Sequence, residues 1–282
     1  MNTLKTGFLM AGLTVLLVLA GSAIGGQQGA VIFFIISLGM NFFSYYYSDK
    51  IVIRMTGAQP VSEQESPELY AIVRKLSVRA GIPVPQLYVT PAEQPNAFAT
   101  GRSPHHAAVA VTRGLLRILD HDEIEGVLGH EIAHIKNRDI LIGTIAASMA
   151  GAISMIANIA QWGLLFGGFN GDDDEGGGSL IGSLVVMLVA PIAAMLIQMA
   201  VSRSREYMAD ATGAGLAGQT AGLSNALLKL ERASLQVPMQ VNPSVSHMFI
   251  VQPLTASSLS RLFSTHPATA DRVERLQTLR VR

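Results

Sequence analysis

The chain has 282 residues, no cysteine and zero formal net charge; 49% of its residues are apolar and only 14% are charged. The missing cysteines exclude disulfides, thiol catalysis and Cys-ligated metal, and the neutral balance gives no reason to expect a nucleic-acid partner. Soluble domains carry about 25% charged residues, so the deficit points to a membrane.

Two uncharged apolar runs open the chain, residues 6–25 and 30–47. Each is long enough to cross a hydrocarbon core of about 30 Å as a helix. The second ends in Tyr45, Tyr46 and Tyr47, a cluster suited to the membrane–water interface. Gly21-Ser22-Ala23 offers small residues for signal cleavage, but a second apolar run follows after a few residues. A transmembrane hairpin over residues 1–48 is therefore expected.

A polar block follows, residues 49–139. Pro67 to Ala80 reads as an amphipathic helix. QLYVT, NAFAT and AAVAVT read as short strands separated by Pro, Gly and polar residues. Asp120, with Glu123 three residues on, reads as the capping signal of a further helix.

Two more apolar runs, residues 140–166 and 180–201, make a second hairpin over 140–201. They contain Ser, Asn, Gln and Pro191, and helices buried in protein would also fit them. The acidic link from Asp172 to Glu175 lacks the spacing of a calcium loop and reads as solvated. All Lys and Arg lie at Lys5, in 50–138 or in 203–282. By the positive-inside rule both termini and both polar blocks, 49–139 and 202–282, face the cytoplasm.

The stretch HEIAH lies just before the third apolar run. On a helix, His130 and His134 share one face a turn apart, so both rings can reach one metal ion. Glu131 stands beside the first His and can serve as general base for a metal-activated water without ligating. A third His is absent, because the HExxHxxGxxH pattern would need Gly at Asn137 and His at Ile140. A carboxylate on another helix is the remaining common solution. SREYMAD follows the fourth apolar run and places Glu206 and Asp210 on one helix face. If the two runs form an antiparallel hairpin, Glu206 returns to the depth of His134. Glu206 is then the third ligand, and Asp210 orients a ligand by hydrogen bonding.

These features resemble the HtpX-type membrane zinc metalloproteases, relatives of the CAAX prenyl endopeptidases. The resemblance covers nearly the whole chain: the N-terminal hairpin, QPNAFATG, GHEIAH, SREYMAD and FSTHPATADRVERL. It implies one Zn2+ per chain on His130, His134 and Glu206, with Glu131 as base and acid. It implies that Asn96, Ala97, Phe98 and Ala99 lie in an edge strand that holds substrate backbone by strand addition. It also implies that His266 lies near the scissile carbonyl and that Arg272 pairs with Asp210; His266 reads equally well as a surface residue near a helix start. His105, His106 and His121 read as solvated. Residues 235–253, with His247, read as a loop of no derivable role.

The expected fold is an α+β membrane protein. It is mostly helical, with about four transmembrane helices and a cytosolic zincin-like catalytic domain carrying a small β-sheet. The expected function is zinc-dependent cleavage of misfolded or damaged membrane proteins at the cytoplasmic face of a bacterial inner membrane. By the resemblance this is a stress-response role alongside other quality-control proteases. A CAAX-type processing protease for lipidated peptides, or a non-catalytic zinc-stabilised scaffold, would share parts of the pattern.

Overall fold

A computed structural model describes residues 2–150, 202–237, 242–251 and 267–281. Residues 151–201 lie outside the described residues, and with them most of the expected second hairpin and the acidic link.

Helix α1, Asn2–Met55, is not a rod. Residues 10 and 41 of a straight helix would be about 46 Å apart at 1.5 Å per residue. Instead the Asn41 side-chain amide donates to the Met10 carbonyl at 3.3 Å and to Thr14 Oγ1 at 2.9 Å. The helix doubles back at Gly26, whose φ of +56° suits a residue without a Cβ. The returning limb, Gly26–Met55, is long and apolar enough to cross a membrane by length and composition. Its outward Ile32, Ile35, Phe42 and Phe43 are exposed, an apolar surface that lipid would cover. Helix α5, Ile140–Ala150, packs beside this hairpin, with Ile145 and Met149 against Leu9 and Leu13.

The polar block holds a four-stranded mixed sheet: β1 Gln59–Pro60, β2 Gln86–Thr90, β3 Ala97–Ser103 and β4 His106–Thr112. The spatial order is β1-β2-β4-β3; β2 and β4 run parallel and the other pairs antiparallel. The three strands expected from sequence form, and the two-residue β1 adds to them. Strands β3 and β4 are buried on both faces, which is why AAVAV reads as a continuous apolar run. Ala97, Ala99, Val109 and Val111 face the main core, whereas Phe98 and Ala110 face Val52 of α1 and Ala147 of α5. The sheet thus lies between the end of the apolar hairpin and a helical layer.

That layer contains α2 Pro67–Ala80, α3 Arg113–Ile118, α4 His121–Lys136, α6 Arg203–Ala217, α7 Ala221–Gln236 and α8 Thr269–Thr278. Leu76, Leu128, Ile132, Leu227 and Leu276 fill its core; burying a side chain of this size stabilises by roughly 1.5–3 kcal/mol. The expected loop over residues 235–253 needs correction. Leu235 and Gln236 finish α7, and Pro243–Met248 form a 3-10 helix packed on the sheet.

Candidate active site

Helix α4 carries HEIAH, and its start is fixed locally. Asp120 Oδ1 accepts from the Glu123 amide at 3.0 Å, and Glu123 Oε2 accepts from the Asp120 amide at 3.0 Å. This reciprocal pair is the capping box the sequence announces. Two buried carboxylates then tie the helix to its neighbours: Glu123 accepts from Lys229 at 2.7 Å, and Glu125 pairs with Lys75 at 2.7 Å. Helix α6 comes unusually close. A Cβ added to Gly213 would lie 2.6 Å from the His130 amide nitrogen, and one on Gly129 would lie 2.8 Å from the Gly213 carbonyl oxygen. Two glycines therefore let the backbones approach and bring Glu206 to the HEIAH face.

The ligand candidates converge. His130 Nε2 and His134 Nε2 are 3.1 Å apart, and Glu206 reaches them at 3.7 and 3.5 Å. Nitrogens sharing one tetrahedral ion at about 2.05 Å would be roughly 3.3 Å apart. The opposite ring nitrogens are already committed. His130 Nδ1 lies 2.9 Å from Asp210, and His134 Nδ1 lies 3.4 Å from Asp139. A proton on each Nδ1 leaves two Nε2 lone pairs and a carboxylate aimed at one point. The spacing of that donor set fits zinc.

Arg272 lies beneath His130 and is almost fully buried. Its Nε and Nη2 donate to Asp210 at 2.9 and 2.6 Å, and its Nη1 donates to the Ile250 carbonyl at 3.0 Å. Nη2 also approaches His130 Nδ1, but at 3.4 Å the shorter Asp210 contact governs the ring. Against the cost of burial, Arg272 holds the Asp210 carboxyl well below the usual range.

Without metal, burial lowers His130 to about 4. Burial acts on His134 the same way, but the Glu206, Asp139 and Glu131 carboxylates outweigh it and push His134 up to about 9. Burial raises Glu131 to about 7, helped by the Glu206 charge. The His134 and Arg272 charges oppose that rise, as does a hydrogen bond from the Ala99 amide to the Glu131 carboxylate.

Strand β3 lies at the sheet edge and holds Ala97, Phe98 and Ala99, with Asn96 just before it, and part of that edge is occupied. The Ile250 amide donates to the Ala97 carbonyl at 3.0 Å. The Asn96 side chain donates to the Val251 carbonyl at 2.7 Å and accepts from its amide at 3.3 Å. Phe249 stacks edge-on against Phe98 at 5.0 Å. At the far end the Gly101 amide donates to Thr144 Oγ1 of α5 at 3.1 Å.

The cleft at the three ligand candidates is also lined by Ala99, Glu131, Asp139, Arg205, His247 and Ile250. The structure therefore brings together His130, Glu131, His134, Glu206, Asp210, Arg272 and the β3 residues. His266 lies outside the described residues. His105, His106 and His121 are exposed, with His106 opening β4. Sequence reasoning missed Asp139, Arg205 and the 243–251 segment at the cleft. Asp139 follows His134 by five residues, a spacing that on a regular helix gives no reason to expect it at the His134 ring.

The pattern of peptidase family M48 matches residues 63–280. A protease HtpX homolog of Pelotomaculum thermopropionicum is 63% identical over 281 residues, covering 100% of both chains. One from Thermococcus kodakarensis is 56% identical, over 98% of this chain and 95% of its own. One from Desulforapulum autotrophicum is 54% identical, over 98% and 89%. Among solved structures, Ste24p of S. mikatae shares the fold with a TM-score of 0.53 at 20% identity, over 98% of this chain and 65% of that one.

Proposed function

The chain belongs to peptidase family M48 and is a metalloprotease; from that premise we propose that it is a zinc endopeptidase held in a bacterial inner membrane, cutting membrane proteins at the cytoplasmic face. The observation that carries the zinc reading is the convergence of His130 Nε2, His134 Nε2 and Glu206 while both Nδ1 atoms face carboxylates. Bound there, zinc supplies a Lewis acid that polarises a carbonyl and acidifies water.

The chain's own groups do the rest. Glu131 lines the same cleft and can take a proton from the attacking water and return it to the leaving amine. Arg272 and Asp210 hold the His130 ring in place. Substrate backbone adds to the β3 edge, where Ala97 and Ala99 turn their peptide groups outward. The Ile250 amide occupies the Ala97 carbonyl, so a substrate strand must displace it.

The membrane reading rests on the apolar limb Gly26–Met55 and on the placement of Lys and Arg. Multi-pass insertion is read from the four apolar runs, and cytoplasmic termini from the same charge bias. Misfolded or damaged membrane proteins as substrates, and other quality-control proteases as companions, are carried forward from the family resemblance. The metal reading is tested by Glu206→Ala in purified protein. One zinc per parent chain and a large loss in the variant support it; equal zinc content in both would overturn it.

A further inference from the structure

Helix α4 ends in an irregular way. The Asn137 amide donates to Ala133 at 2.8 Å, the Arg138 amide to Ile135 at 3.1 Å, and the Asp139 amide to His134 at 2.9 Å. This wrap requires a left-handed residue, and Arg138 takes it with φ +58°. Among the described residues it is the only non-glycine with positive φ. Glycine or Asn normally holds such a position, because a Cβ there is disfavoured. Backbone held in a disfavoured conformation marks a place where the outcome of the turn matters.

The outcome is the position of Asp139. The turn carries its carboxylate back over the helix end, 3.4 Å from His134 Nδ1. Asp139 is buried and lines the cleft. It also directly precedes Ile140, where α5 starts. His130 has the matching arrangement, with Asp210 on its Nδ1 at 2.9 Å.

We propose that Asp139 is the positioning residue of His134: its carboxylate accepts the Nδ1 proton, fixes the tautomer and aims Nε2 at the metal. It does for the second histidine what Asp210 does for the first. Because Asp139 stands at the junction with α5, it also ties the aim of a metal ligand to the start of an apolar helix. The inference rests on the zinc reading above.

The test is zinc affinity, measured by chelator competition in detergent, for the parent, Asp139→Asn, Asp139→Ser and Asp139→Ala. Loss of a carboxylate behind a ligating histidine weakens metal binding by about 10–100-fold. Asn keeps an acceptor and should retain most of the affinity. Ser still caps a helix start but is too short to replace the carboxylate, so Ser and Ala should both lose affinity by that factor. At about pH 10, where His134 is neutral in the metal-free parent and its ion pair with Asp139 no longer contributes, the thermal stability of the metal-free Ser variant should stay close to the parent. Parent-like zinc affinity in Ser and Ala would overturn the inference. So would an affinity loss in Ser matched by an equal fall in metal-free stability at that pH, which would mark Asp139 as purely structural. A parent that binds no zinc would instead overturn the metal reading itself.

Discussion

Arg272 and Asp210 meet as a buried fork directly behind His130, with contacts of 2.9 and 2.6 Å. Breaking such a pair leaves an uncompensated charge in the core, which costs about 3–5 kcal/mol. Arg272→Met should therefore be strongly destabilising by chemical denaturation in detergent, and adding Asp210→Asn should recover part of the loss. Additive losses would contradict the pairing. Asp210 sits below its ordinary value, so its stabilisation is present above about pH 3.9 and is lost as pH falls toward its folded value.

The metal-free protein should lose stability above neutrality. His134 is raised to about 9 from an unfolded value near 6.5. Its contribution is fully present below 6.5 and is lost as pH rises through 9. Between pH 7 and 9 the loss is about 2 kcal/mol by linkage. Zinc needs neutral His134, so binding at pH 8 should release close to one proton from this residue. Calorimetry in buffers of different ionisation enthalpy measures that number; zero release would contradict the assignment.

The β3 edge makes a prediction about substrate. Asn96 clamps Val251, and Ile250 occupies Ala97. A disulfide introduced between positions 97 and 250, in a chain with no cysteine of its own, would fix that pairing. The oxidised variant should lose cleavage and regain it on reduction, with zinc content unchanged. Full activity while oxidised would mean that substrate does not use this edge.

Gly213 should tolerate no side chain. Its added Cβ would press on the His130 backbone at 2.6 Å. Gly213→Ala should cost about 1–3 kcal/mol by overpacking and reduce zinc affinity by moving α6. A parent-like melting temperature and affinity would show that the helix contact is looser than described.

Much of this arrangement is local in origin and so is legible in the sequence. Pro67–Ala80, the capping box at Asp120 and the three strands follow from periodicity and turn chemistry. Glu206 comes beside His134, as the sequence expects of a carboxylate on a second helix, and Gly129 and Gly213 let α4 and α6 approach closely enough for it. Asp139 was not legible, because its position depends on Arg138 adopting a conformation that its side chain does not announce. Nor was the place of residues 243–251. Their contacts to β3 span about 150 residues, and no local pattern encodes such pairing.

The most direct test of the whole account is cleavage of an unfolded reporter protein by zinc-reconstituted enzyme beside Glu131→Gln, with zinc content measured on the same samples. The account predicts that the parent cuts and that Glu131→Gln holds the same zinc but does not cut. Normal cleavage by Glu131→Gln would contradict the role given to its carboxylate.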